Sequence, residues 1–122
     1  MDFSTVHCYG RAVADARLYN IDDPDKTSRA VFDIAMNLPI RKDGKFETKA
    51  IFRRIVAWGY HADYISKCQA SDPYGLKGRP ILVVGSMDTN QETGDRVNKD
   101  VIRIGPPNGV INIIDRRKRD DE

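Results

Sequence analysis

The sequence predicts an all-β domain with one short helix, built as a five-stranded Greek-key barrel. Three observations carry that expectation. Short stretches with apolar residues at alternate positions recur along the 122-residue chain, with turn signals between them. One stretch, from Tyr60 to about Gln69, switches to helical spacing, with Ala62, Ile65 and Cys68 at steps of three. The order is three strands, the helix, then two more strands, and a small barrel of this type carries its helix between strands three and four. A loose α+β sheet would give the same order.

Each element follows from its residues. The first strand spans Ser4 to Asp15, with Val6, Cys8 and Gly10 on one side and His7, Tyr9 and Arg11 on the other. Gly10 within that pattern predicts a bulge or sharp bend. The polar segment Tyr19 to Ser28, containing Pro24, reads as a loop. The second strand runs from Arg29 to Asn37, with Phe32, Ile34 and Met36 toward the core, Asp33 facing away and Pro39 closing it. Asp43-Gly44 is a two-residue hairpin signal, and the third strand ends at Trp58-Gly59. Ser71-Asp72-Pro73-Tyr74-Gly75 ends the helix. The fourth strand covers Pro80 to about Met87, Thr93-Gly94 marks a hairpin tip, and the fifth spans Val97 to Ile104. Pro106-Pro107-Asn108-Gly109 interrupts it before Val110 to Ile114. Residues 1–114 thus form the barrel domain, and 115–122 a charged tail without apolar side chains, expected to fray.

Composition narrows the function classes. The hydrophobic fraction is 40% and the charged fraction 31%, as in a folded soluble domain. No apolar run approaches the roughly 20 residues that span a bilayer, so no membrane partner is expected. The N-terminus lacks a basic segment followed by an apolar one, so a cytoplasmic location is expected rather than secretion. Cys8 and Cys68 have no metal-binding spacing and read as free thiols in a reducing compartment. His7 and His61 have no ligand at suitable spacing, and the Asp22, Asp23, Asp25 cluster lacks the glycine and the late glutamate of a calcium loop. Neither a metal nor another cofactor is expected. Catalytic residues are expected to be absent too, because the chain has no phosphate-cradling glycine loop and no serine nucleophile elbow.

Net charge is only +2, but its distribution is uneven. Residues 41–54 hold six basic residues against two acidic ones, whereas residues 86–100 hold four acidic against two basic. A local positive patch on a near-neutral chain suits a polyanion site; a solvated charged hairpin would look the same. Strand alternation in Ala50–Gly59 puts Phe52, Arg54, Val56 and Trp58 on one face and Ile51, Arg53, Ile55 and Ala57 on the other. Two aromatic rings flanking a guanidinium can stack bases and neutralise phosphate together. An ordinary half-buried strand with one exposed arginine gives the same alternation.

Several segments, in order over residues 4 to 104, resemble the bacterial and phage single-stranded DNA-binding proteins of the OB-fold. They are Tyr9-Gly10-Arg11 leading to Asp15-Ala16-Arg17, Phe32-Asp33-Ile34-Ala35-Met36-Asn37, Phe52-Arg53-Arg54 through Trp58-Gly59, and Leu76-Lys77-Gly78 leading to Gly85. The resemblance implies an OB-fold barrel that binds single-stranded DNA in replication, recombination or repair. It places Phe52 and Trp58 at base-stacking positions, Arg54 between them, Arg41 and Lys42 on the hairpin that guides the backbone, and Arg11 at a further contact position. Lys45 and Lys49 join these from the basic hairpin. The resemblance also implies a homo-oligomer, dimer or tetramer, formed partly through the first strands, replication and recombination proteins as further partners, and a nucleoid-associated location in a bacterial or phage-infected cell.

This chain departs from the pattern at several places. Ile40 and Glu92 stand where the family carries tryptophans, the hairpin between strands four and five is acidic, and residues 69–75 look inserted. The C-terminus Asp120-Asp121-Glu122 follows a basic cluster, Arg116 to Arg119, and lacks the Pro-Phe tip. These departures support an alternative: a protein-interaction or primosomal accessory module on the same barrel, with weak DNA affinity.

Overall fold

Two 14-residue strands dominate the architecture. The structure is a computed structural model that describes residues 5–89, 100–104 and 109–114. Its elements are β1 (Thr5–Ala12), β2 (Arg17–Tyr19), β3 (Arg29–Lys42), β4 (Lys45–Trp58), α1 (Tyr60–Ser71), β5 (Pro80–Thr89), β6 (Asp100–Ile104) and β7 (Val110–Ile113). Hydrogen-bonded neighbours run β1–β3–β4–β6–β5, and β5 pairs back with β1. This closed five-strand ring is the Greek-key arrangement expected from the sequence, with β4–β6 as its parallel pairing. β2 flanks β3, and β7 flanks β5.

Ring closure needs strands to bend, and glycines allow it. β1 pairs with β5 from Thr5 to Arg11 and with β3 at Arg11 and Ala12, so it changes neighbour just after Gly10. A Cβ on Gly10 would lie 2.6 Å from the Ala35 carbonyl oxygen, which is why no side chain fits at this crossing. The expected bend at Gly10 therefore has a steric cause.

The inner face of the ring is aliphatic. Ile34, Ile55, Ile81, Val83, Ile102 and Ile104 are fully buried, with Phe32 and Ala57 among them. Helix α1 adds Ala62 and Ile65 to this core, with Cys68 half-buried beside it, as its three-residue spacing predicted. Gly59, at φ 63° and ψ −134°, turns the chain from β4 into α1, and Ser28 holds that corner with a hydrogen bond from its Oγ to the Gly59 carbonyl oxygen (2.9 Å). The far end of α1 is pinned by Gln69, which accepts from the Ala16 amide at 2.7 Å and donates to the Ala16 carbonyl at 3.3 Å. Asp15 accepts from the amides of Leu76 (2.8 Å) and Lys77 (3.2 Å), tying the segment after the helix to the end of β1.

Three expectations need correction. The first strand stops at Ala12, because the chain then turns, and the Val13 amide bonds to the Asp33 carbonyl oxygen at 2.9 Å. Residues 17–19 form a short strand on β3, so Tyr19, expected to open the loop, ends a strand instead. Pro39 does not close the second strand, which continues to Lys42 with Pro39 opposite Thr48. Beyond Ala35 the described pairing of β3 is to β4 alone, so a missing amide proton on its other edge is tolerated. The Asp43-Gly44 turn is as expected, both residues having positive φ, 53° and 78°, as a type I′ hairpin needs. The Thr93-Gly94 tip, Glu92, the start of the fifth strand at Val97, the Pro106–Asn108 break and the tail from Asp115 lie outside the described residues.

Candidate nucleic-acid interface

Cross-strand pairs point to the same side of a sheet, so register sorts the side chains. On the outer face of β2, β3 and β4, one row holds Tyr19, Arg29 and Trp58. The next holds Arg17, Val31, Val56 and, across the parallel pairing, Arg103. Asp33 and Arg54 follow, then Arg11, Ala35 and Phe52. On the projecting hairpin the same face carries Arg41 and Phe46. Within the ring the intervening rows Ala30 with Ala57 and Phe32 with Ile55 are buried. The alternation read from Ala50–Gly59 is thus correct: Phe52 is 58% exposed and Trp58 partly exposed, while Ile55 and Ala57 are sealed.

Three aromatic rings stand at six-residue intervals along this face of β4: Phe46, Phe52 and Trp58. At ~3.3 Å per residue, neighbouring rings are roughly 20 Å apart. Phe46 is 77% exposed and has the Arg41 guanidinium 5.8 Å from its centroid. Trp58 has the Arg29 guanidinium 5.6 Å from its centroid, and Arg29 also lies 4.3 Å from the ring of Tyr19. Each β4 ring therefore shares its row with an arginine.

The sequence-derived residues fall into two groups. Arg11, Arg41, Phe52, Arg54 and Trp58 share the outer face. Lys42, Lys45 and Lys49 have the opposite parity, on the other side of the exposed hairpin with Leu38, Ile40 and Glu47. Arg54 is not a free cation: its Nε donates to Asp33 Oδ1 at 3.1 Å and its Nη2 to Oδ2 at 3.4 Å. Arg11 donates from Nη1 to the Gly78 carbonyl at 3.0 Å. Sequence reasoning did not single out Phe46, Tyr19, Arg29, Arg17 or Arg103, which the register places on the same face. The parity of Phe46 with Phe52 and Trp58 was readable once the strand was known to be long. The others needed the pairing of β2 and β6.

These outer rows hold Arg11, Arg17, Arg29, Arg41, Arg54 and Arg103 against Asp33, and the register continues the Asp33–Arg54 row through Val101 to Asp88. The face is thus strongly cationic and carries flat rings, which equips it to hold stacked bases and their phosphates. Elsewhere, charged and polar groups serve the fold. Arg79, 3% exposed, donates to the carbonyls of Cys68 (3.1 Å) and Ile114 (3.3 Å) and pairs with Asp72 at 3.8 Å. His61 Nε2 bonds to the Gly109 carbonyl at 2.9 Å, and the Tyr64 hydroxyl accepts from the Ile113 amide at 3.0 Å, so both hold α1 to the last strand. Burial pushes the Tyr64 hydroxyl pKa upward. Burial likewise raises the Cys8 thiol, opposed by the charge of Arg53. Cys8 and Cys68 are both free thiols. Among the described residues no cluster of potential metal ligands is found, and no helix is long and apolar enough to cross a membrane.

The five-strand ring and the one helix among the described residues define an OB-fold, the fold of single-stranded DNA-binding proteins. In particular, the chain is similar to the SSB of Plasmodium falciparum, solved in complex with ssDNA, with a TM-score of 0.74 and 22% identity over 94% of this chain and 97% of that one. The second single-stranded DNA-binding protein of Mycobacterium smegmatis superposes with a TM-score of 0.62 at 17% identity, covering 97% of this chain and 100% of that one. A small single-stranded DNA-binding protein from Streptomyces coelicolor gives 0.64 at 14% identity, covering 93% and 95%. No family model matches the chain, and no curated protein matches it by sequence.

Proposed function

We propose that this protein is a non-enzymatic binder of single-stranded DNA, without strong sequence preference, acting in replication, recombination or repair. The observation that supports this reading most is the line of Phe46, Phe52 and Trp58 along the outer face of β4, each in a row with an arginine. Bases stack on the rings, and the arginines neutralise the backbone between stacked positions. The hairpin lysines Lys42, Lys45 and Lys49 line the opposite side of the hairpin and act as a second, diffuse phosphate contact if the strand wraps its tip. The similarity in fold to an SSB solved with ssDNA agrees with this reading. Assembly as a homo-oligomer, dimer or tetramer, belongs to the same proposal: between Thr5 and Tyr9 the described pairing of β1 is to β5 alone, which leaves an edge for another copy to cover.

The test is fluorescence anisotropy with labelled oligo-dT and with duplex of the same length, across a salt series. Tight, salt-sensitive binding of the single strand and much weaker binding of the duplex are expected. Phe52→Ala should weaken single-strand binding by about 1–3 kcal/mol at every salt concentration. If neither nucleic acid binds, the accessory-module alternative replaces this reading.

A further inference from the structure

We propose that the bound strand does not end at Trp58 but crosses β3 onto β2, where Tyr19 and Arg29 form a further base-and-phosphate station. This inference rests on the single-strand reading above. Tyr19, Arg29 and Trp58 are directly opposite one another on three adjacent strands and face outward together. Adjacent strands lie ~4.8 Å apart, so the row offers about 10 Å of continuous surface running across the sheet rather than along it.

Arg29 is the informative member of the row. Its guanidinium lies 4.3 Å from the Tyr19 centroid and 5.6 Å from that of Trp58. Its Nε is buried and has no hydrogen-bond partner among the described residues. Arg54, two rows away, is matched by Asp33, whereas Arg29 meets two rings and no carboxylate among the described residues. A partly desolvated cation held between rings without an anion is an incomplete arrangement. A backbone phosphate completes it, and the 38%-exposed Tyr19 ring supplies a face for the neighbouring base. The surface beyond Tyr19 marks the end of the path. The groove there is lined by Asn20, Asp22, Asp23, Lys26, Ser28 and Asp63 among others, and its three carboxylates against one lysine disfavour further phosphate.

The experiment measures affinity for labelled oligo-dT from about 4 to about 16 nucleotides, the span of site sizes known for such barrels. Affinity of the unaltered protein should rise with length to a plateau. Tyr19→Leu keeps an apolar side chain but removes the flat ring. It should reach its plateau at a shorter length, with plateau affinity lower by about 5- to 150-fold. Tyr19→Phe should match the unaltered protein, and its melting temperature checks that β2 is intact. Arg29→Gln should reduce the slope of log affinity against log salt by about 0.7, and Arg29→Lys should restore it. Equal affinity of Tyr19→Leu and the unaltered protein at every length would overturn the proposal. So would an equal loss at every length, which would make Tyr19 only a prop for Trp58. If Phe52→Ala weakens binding while Tyr19→Leu does not, this extension fails and the β4 path stands; if the unaltered protein binds no oligo-dT, both fail.

Discussion

Replacing Asp33 with asparagine should strengthen binding, because Asp33 is the outer-face acid that occupies Arg54. The Arg54 and Asp33 side chains are 34% and 32% exposed, so solvent screens their attraction. A pair in that setting contributes about 0.2–1 kcal/mol to stability. Asp33→Asn keeps the size of the side chain and a carbonyl acceptor for Arg54, so the fold should lose no more than about 1 kcal/mol, a few degrees in melting temperature. The effect on DNA binding has the opposite sign. Removing one negative charge frees Arg54 for one phosphate, which steepens the log-log salt dependence by about 0.7. Between 1 M and 0.1 M salt that corresponds to about fivefold tighter binding relative to the unaltered protein. The assay is oligo-dT anisotropy over that salt range, with Asp33→Asn and Arg54→Gln measured in parallel. An unchanged slope in both variants would show that Arg54 meets no phosphate and serves only to pair β3 with β4.

Other outcomes follow from named contacts. Combined Lys42→Ala, Lys45→Ala and Lys49→Ala should flatten the salt slope while leaving the affinity at 1 M salt nearly unchanged, since these side chains offer charge without a ring; a salt-independent loss would contradict this. Gly10→Ala should destabilise the fold by about 1–3 kcal/mol in urea unfolding, because its Cβ would meet the Ala35 carbonyl oxygen at 2.6 Å. Stability should fall as pH rises through the ordinary cysteine range and beyond. Cys8 and Tyr64 both have raised folded-state pKa values, so the unfolded chain releases their protons first. Unfolding curves at pH 7 and pH 10 check the sign, and Cys8→Ala should remove part of the loss.

Much of the barrel was legible in the chain because its strands obey local rules. Alternation in Phe32-Asp33-Ile34 and in Ile55-Val56-Ala57 reports one buried face, and Asp43-Gly44 meets the positive-φ demand of its turn. The run to Lys42 through Pro39 was hidden because a proline at an open strand edge looks the same in sequence as one that ends a strand. β2 was hidden because three residues carry no period, and with it went the row that joins Tyr19, Arg29 and Trp58. At the site, Phe52 and Trp58 could be assigned to one face from spacing alone. The Arg54–Asp33 pair could not, since it depends on the register of β3 against β4. The hairpin lysines were grouped with Phe52 by charge, yet charge says nothing about parity, and the structure sets them on the opposite side.

Trp58 is the single tryptophan, so its emission reports on the outer face of β4 without a label. Titration with oligo-dT at low and high salt should quench that emission, with a midpoint that moves to higher DNA concentration as salt rises. Unchanged emission at both salt concentrations, together with no mobility shift of the same oligonucleotide, would mean that the rings and arginines of this face hold no single strand.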